Sequence, residues 1–399
     1  MENFDYILPQ EKIAQFPLQN RDECKLLVYK NQKITDSTFA MINEFLPPQC
    51  RLILNNSKVI PARIKIKTNT QKIIEVFCLN PYPASINFEH ALLSKSDIQW
   101  NCLVGNKRNW NINQTLTNTL PISPEKSITL ITTLLQKSAQ ENIVLFEWDE
   151  PNFLFKDILE LFGSVPLPPY IKRSAIADDK EYYQAVYALQ PGSVAAPTAG
   201  LHFTNELMNQ LKQNQHIFSY LTLHVGLGTF KAITSTDYHE HIMHAEMIEI
   251  NKFFLQHLIE HPHTNIAVGT TSLRTLETIY WLGVKIYKHP HLLTLALEQK
   301  DVSLLTPYKL KPIEAIQYLL NWLNKQNLDT FTTSTQLYIL PNSELNMAQG
   351  IITNFHQPNS SLISIVSCIT KKNWRSIYQH ALTHDYRFLS YGDVCYFEK

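Results

Sequence analysis

Ten glycines serve 399 residues, where a globular chain ordinarily carries about 7%. A backbone so poor in glycine has few positions free to take φ > 0 or to let another group approach closely. The glycines it keeps should therefore mark places of special geometry. Eight of the ten fall in six short blocks: Gly163 in FGSVPLPPYIKR, Gly192 and Gly200 in PGSVAAPTAGLHFT, Gly226 and Gly228 in LTLHVGLGTF, Gly269 in IAVGTTSLRTLET, Gly350 in GIITNFHQP, and Gly392 in YRFLSYGD. Read singly, each is an ordinary turn glycine. Surface turns, however, favour Asn and Ser as companions, and these blocks carry His, Arg, Asp and Glu, so together they argue for a site.

The length suggests two or three domains, and 44% hydrophobic content is enough for real cores. The formal charge is zero and only 18% of residues are charged, so overall basicity does not drive nucleic-acid binding, although a local patch can still meet phosphates. There is no run of 18 apolar residues, no basic and apolar leader in MENFDYILPQEK, and no lipidation or retention signal in FEK. A cytoplasmic protein without membrane attachment is expected, and a monomer. The six cysteines are scattered without a CxxC pair, which indicates buried thiols rather than a zinc ribbon or a disulfide framework.

Along the chain, KLLVY, the helical pattern of STFAMINEFL, and RLILNN running into VIPARIKI read as strand, helix and strand. From about residue 65 the texture changes to short strands, KIIEVFCL, WNCLVG, ITLITTLL and NIVLFEW, with little helical periodicity. After residue 150, strands and helices alternate again. This predicts a mixed α/β main domain, discontinuous in sequence (1–64 and 151–399), interrupted by a small β-rich domain at 65–150. KLKPIEAIQYLLNWLNKQN predicts a helix opened by Pro312, with Ile313, Ile316, Leu319, Leu320 and Leu323 on one face.

Several residues can carry chemistry. In NIAVGTTSLRTLET a strand ends at Gly269 and a helix opens at Thr270, Thr271 or Ser272, so unpaired N–H groups there suit an anion. Arg274 and Glu277 share a helix face, with Glu277 placed to orient Arg274. LTLHVGLGTF has a GxG but no third glycine and no following helix, so a dinucleotide fingerprint fails. What remains is His224 at a strand end beside Gly226 and Gly228, able to act as acid or base. HEHIMHAEMIEI gathers His239, His241, His244 and Glu246, but without HExxH. Its EMIEI sends Glu246 and Glu249 to opposite faces of a strand, so a metal site is not favoured. His202 and His356 lie in other blocks. Lys58, Arg63, Arg173 and Lys231 can form a phosphate-contacting rim. No GxSxG elbow and no GxxxxGK[ST] loop is present.

Taken together, GSVAAPTAGLHFT, LTLHVGLGTF, HIMHAE, AVGTTSLRTLE, TNFHQP and YRFLSYGD, with the opening FDYILPQEKIAQFP and LILNNSKVIPARI, closely resemble the S-adenosylmethionine:tRNA ribosyltransferase-isomerase family of queuosine biosynthesis. About 65–150 and 284–349 are matched weakly. The resemblance implies a mixed α/β domain interrupted by a small β-barrel domain. It implies transfer and isomerisation of the ribosyl part of S-adenosylmethionine onto 7-aminomethyl-7-deazaguanine at the tRNA wobble position, giving epoxyqueuosine, adenine and methionine, with no metal. Under it, His202, His224, His244 and His356 form the pool of acid and base, and Glu246 and Asp393 are carboxylates near the sulfonium or ribose. Gly269, Thr270, Thr271, Ser272 and Arg274 take the methionine end of the cofactor or an RNA phosphate, and Gly226 and Gly228 join the cofactor site. Lys58, Arg63, Arg173 and Lys231 contact tRNA. The chain departs from the pattern at YILPNSE, which lacks a turn glycine, at FHQPNS, and in the longer span before TNFH. These departures give a diverged paralogue with another substrate as one alternative; a non-catalytic RNA-binding protein on the same scaffold is a second, and the His, Arg and Asp kept in the glycine blocks favour an enzyme over it.

Overall fold

The computed structural model describes residues 4–83, 86, 88–138, 141–226, 238 and 241–399. The apolar runs of the main domain assemble a nine-stranded mixed sheet. Its order is Thr330–Thr335, Glu246–Asn251, Ile217–His224, Arg51–Asn55, Asn265–Val268, Gly350–Asn354, Val394–Glu398, Lys25–Lys30, Lys33–Thr38. The four strands from Ile217–His224 to Gly350–Asn354 run parallel to one another. The three innermost of the sheet, Arg51–Asn55, Asn265–Val268 and Gly350–Asn354, are buried at every position, as expected of parallel strands covered on both faces.

The helix Thr270–Lys288 covers one face and is itself buried along nearly its whole length. It is sandwiched by the predicted helix Pro312–Lys325, in which Ile316, Leu319, Leu320 and Leu323 are buried. The two helices cross at Gly283, where a β-carbon would stand 2.0 Å from the Ala315 carbonyl oxygen, a separation only glycine permits. Ile313 departs from expectation: it sits in the first turn, beyond the contact, and is 46% exposed.

A second, antiparallel sheet holds Gly163–Ser164, Arg63–Lys67, Ile73–Pro81, Asp97–Gly105, Asn142–Trp148, Lys126–Gln136 and Thr115–Ser123, in that order. Its two ends approach through Arg63–Lys67 and Thr115–Ser123, so the sheet curls around its own core, which includes Trp100, Trp110 and Phe146. The helix Phe155–Phe162 contributes Phe155, Ile158, Leu159 and Phe162 to that core.

Two local expectations are corrected. The helical pattern of STFAMINEFL forms only a 3-10 turn at Phe39–Glu44, because its first residues complete the strand Lys33–Thr38, a polar partner for Lys25–Lys30. VIPARIKI does not continue RLILNN. Ser57–Val59 pairs with Gln190–Ser193, and Arg63–Lys67 already belongs to the curled sheet. All six cysteines are free, and five are buried, with Cys368 half-buried. Among the described residues no helix is long and apolar enough to cross a membrane.

Candidate active site

Three of the parallel strands release the chain at the same edge of the sheet, the position where open α/β sheets bind ligands. After Asn265–Val268, Gly269 turns the backbone with φ 88° and ψ 155° and opens Thr270–Lys288. No side chain caps this helix, so its first N–H groups are left for a ligand. After Gly350–Asn354, the Phe355–Ser360 loop opens Ser361–Ile369, where Ser360 Oγ accepts from Leu362 N at 3.2 Å. After Ile217–His224, Val225 folds back, its N donating to Ser193 Oγ at 2.9 Å.

These three exits enclose one cavity, closed by the Ala195–Ala199 loop, Tyr170, Leu389 and Ser390. Its empty volume is about 640 Å³, including the mouth that opens to solvent. Leu389 takes φ 70° at its wall, a conformation costly for a bulky side chain and concentrated at functional sites. Two helix N-termini therefore face one crevice and favour a negative group inside it.

His356 lines this cavity. Its Nε2 lies 3.1 Å from Thr353 Oγ1, and its backbone N–H donates to the Tyr378 hydroxyl at 3.0 Å. Burial lowers its pKa to about 3, so the ring is neutral at physiological pH. Gly269, Thr270 and Thr271 line the same space, whereas Ser272 is turned into the protein. Arg274 and Glu246 form a buried ion pair, with Arg274 Nε also donating to Leu337 O at 3.2 Å. His244 Nε2 stands 3.6 Å from Glu246. Glu246 begins the strand whose Met247 pairs with His224, so this charged cluster adjoins the cavity wall at Val225. The alternation of EMIEI is as expected, with Glu246 inward and Glu249 half-buried on the other face.

Other expectations need correction. Glu277 does not orient Arg274. It accepts the backbone N–H groups of Asn346, Met347 and Ala348 at 2.8, 2.8 and 3.1 Å and so pins that loop. His224 points away from the cavity, stacked on Phe88. Gly192 takes φ 142° to clear it, since a β-carbon there would be 2.7 Å from His224 Nδ1. Burial lowers the His224 pKa to about 4. His202 sits behind the cavity, bonded to Asn354 and Cys24.

Asp393 is also outside the cavity lining. Its carboxylate accepts Lys25 N at 2.9 Å and Arg387 N at 2.7 Å, which ties the last turn to the first strand. Arg173 is not free for phosphate: both its terminal nitrogens lie 2.7 Å from Asp179, and it covers the Phe16 ring. Arg63 pairs with Glu75 at 3.3 Å, while Lys58 is exposed. Gly226 follows Val225 outside the lining. Gly228, Lys231 and His239 lie outside the described residues. Among those described, no group of three or more His, Cys, Asp or Glu is arranged to hold a metal.

Sequence reasoning missed Thr198, Asn354, Tyr170 and Ser390, all of which line the cavity. All four lie inside the glycine blocks, as polar residues without a charge or an imidazole to set them apart. The departures from the family pattern are accommodated. The Leu340 to Ser343 turn closes through Ser343 N to Leu340 O at 2.9 Å and Leu340 N to Ser343 Oγ at 2.9 Å. In FHQPNS, Asn359 takes φ 56°, which asparagine tolerates.

A family model described as a queuosine biosynthesis protein matches residues 1–397. This chain belongs to that family. The match to the queuosine biosynthesis family includes the two spans the sequence blocks left weak. An S-adenosylmethionine:tRNA ribosyltransferase-isomerase from Sulfurihydrogenibium sp. (strain YO3AOP1) is 35% identical, covering 99% of this chain and 98% of its own. One of the same name from Finegoldia magna is 33% identical, with 99% and 97% coverage. A solved S-adenosylmethionine tRNA ribosyltransferase from Thermotoga maritima is 25% identical over 99% of both chains, with a TM-score of 0.45.

Proposed function

We propose that this chain moves the ribosyl part of S-adenosylmethionine onto the aminomethyl group of 7-aminomethyl-7-deazaguanine at the tRNA wobble position. It isomerises the ribosyl to the epoxycyclopentane of epoxyqueuosine and releases adenine and methionine, acting in the cytoplasm. Membership of the queuosine biosynthesis family supports this reading. The observation that carries it is a cavity where two helix N-termini meet beside a buried, neutral His356.

The chemistry explains why such a cavity is useful. The sulfonium acidifies the adjacent C5′–H, so a proton acceptor must lie close by. Among the four candidate histidines, His356 borders the cavity and is unprotonated at neutral pH. The methionine carboxylate suits the open first turn of Thr270–Lys288, and the cationic sulfur suits the aromatic walls Phe355 and Tyr170. Exclusion of water protects reactive intermediates from hydrolysis. Arg274, paired with Glu246 through one nitrogen, keeps its second terminal nitrogen without a protein partner and adjoins the helix start as a further group for the ligand carboxylate. Lys58 contributes to the tRNA-facing surface.

The test is incubation with S-adenosylmethionine and tRNA bearing the deazaguanine precursor, followed by nucleoside mass spectrometry. Epoxyqueuosine with equimolar adenine is expected. A different adduct, or tRNA retention without adenine release, overturns the proposal.

A further inference from the structure

Asn354 ends the strand that leads into the His356 loop and lines the cavity, yet its amide is gripped from behind. Its Oδ1 accepts from Thr198 Oγ1 at 2.8 Å, and its Nδ2 donates to His202 Nε2 at 2.9 Å. His202 Nδ1 lies 3.5 Å from the Cys24 sulfur. The order thiol, imidazole, amide has the look of a nucleophilic triad. Cys24, however, is 1% exposed, and burial raises its pKa well above that of a free thiol, so no thiolate is present to attack.

His202 is itself buried, edge-on to Phe39. Burial, reinforced by the charges of Arg387 and Arg21, lowers its pKa to about 3. It has no proton to give at neutral pH, and its ring is not part of the cavity wall.

We infer that His202 is a positioning residue: accepting from Asn354 and donating from Nδ1 toward Cys24, it holds the Asn354 amide so that the second N–H of Nδ2 is presented to an acceptor on the bound ligand. Turning the amide over would require His202 to carry its proton on Nε2 and to take a hydrogen bond from a thiol, a weak donor. The relay therefore favours one sense from Thr198 through to Cys24. In such a dry environment each link strengthens its neighbours. This inference rests on the cavity being the S-adenosylmethionine site.

Two replacements separate the two edges of the ring. His202→Gln supplies a polar group near the position of Nε2 and gives up Cys24; His202→Asn supplies one near Nδ1 and gives up Asn354. Steady-state adenine release with precursor tRNA is followed between about pH 5.5 and 8.5, the range in which a free histidine titrates. His202→Gln should stay within about threefold of wild type, and His202→Asn should lose roughly tenfold in kcat/KM, mostly in KM for S-adenosylmethionine, as for one lost hydrogen bond. Asn354→Ala should match that loss, and the double variant His202→Asn, Asn354→Ala should lose no more than either alone. The shape of the pH profile should not change.

An equal fall of about 10²-fold or more in kcat for both His202 variants, with loss of an ionisation, makes His202 an acid or base and overturns the inference. Wild-type kinetics in both His202→Asn and Asn354→Ala overturns it as well. Ring-nitrogen chemical shifts of the isotope-labelled wild-type protein give a readout independent of turnover: a neutral, Nδ1-protonated His202 is expected, and an imidazolium or Nε2-protonated ring refutes it. These shifts and Asn354→Ala decide the matter if His202→Asn does not fold. Wild-type protein that releases no adenine would instead refute the proposed function, leaving the tautomer result to stand by itself.

Discussion

Replacing Gly269 by alanine isolates the backbone turn on which the cavity depends. At φ 88° and ψ 155° the residue occupies a region open almost only to glycine, and holding an alanine there costs about 1–3 kcal/mol. Space is not the obstacle. The added β-carbon would meet Thr271 Oγ1 at 3.6 Å and Ala199 Cβ at 3.7 Å, both ordinary van der Waals contacts. The whole penalty is therefore conformational, and the chain can relieve it only by rotating the peptide that starts the helix. That rotation moves the N–H groups of Thr270 and Thr271, which line the cavity. A displacement on the order of 1 Å is enough to cost about 10²-fold in rate. Gly269→Ala should thus lose about 1–3 kcal/mol in urea unfolding and much more in activity, roughly 10²-fold in kcat/KM for adenine release. Unchanged stability with full activity would show that the turn is not strained, and a stability loss with wild-type kinetics would show that the helix start does not hold the ligand.

Acidification provides a second test. His202, His224 and His356 have pKa values lowered to about 3, 4 and 3 in the folded chain, against about 6.5 when unfolded. The unfolded chain binds more protons in this window, so stability present above about pH 6.5 is lost as the pH falls toward 4, at up to about 1.4 kcal/mol per pH unit for each ring. Urea midpoints measured at falling pH should drop, and less steeply for His224→Gln. Arg274→Met removes the arginine from the buried Glu246 carboxylate and should cost about 3–5 kcal/mol; adding Glu246→Gln should restore more than half, and no recovery would show that the pair is not the source. Arg173→Ala should cost roughly 2 kcal/mol, below a fully buried pair because Arg173 keeps some solvent. It should also leave the salt dependence of tRNA binding unchanged, whereas Lys58→Ala lowers that slope by about one; the reverse pattern would return Arg173 to the RNA surface.

The elements legible in the sequence were those in which one residue pattern had a single physical reading. Asn265–Val268, Gly269 and the helix after it were plain because an apolar run, a glycine and two threonines permit little else. The strand Lys33–Thr38 was missed because an edge strand with one solvated face carries no apolar signature, and KITDST has none. Glycine scarcity pointed to the right loops for a partly different reason. Among the described residues only Gly192 and Gly269 have positive φ in the glycine-favouring range, while thirteen others, mostly Asn, Gln and Lys, take left-handed turns without a glycine. Most of the retained glycines serve close approach, as at Gly392, where a β-carbon would stand 2.5 Å from the Arg387 carbonyl oxygen.

The same ambiguity governed the site. His356 and the Thr270 turn border the cavity, and both follow parallel strands. His202, Asp393 and Arg173 sit in equally suggestive blocks but spend their polar atoms on the protein itself. Residue type and proximity to glycine do not reveal which way a side chain faces.

The most direct test of the central claim is a crystal structure of the chain with S-adenosylmethionine bound. The methionine carboxylate should lie about 3 Å from the first-turn N–H groups of the helix Thr270–Lys288, with the ribose beside His356. A ligand seated instead in the groove formed by Lys58, Glu89 and Lys156, with the cavity at the strand ends empty, would contradict it.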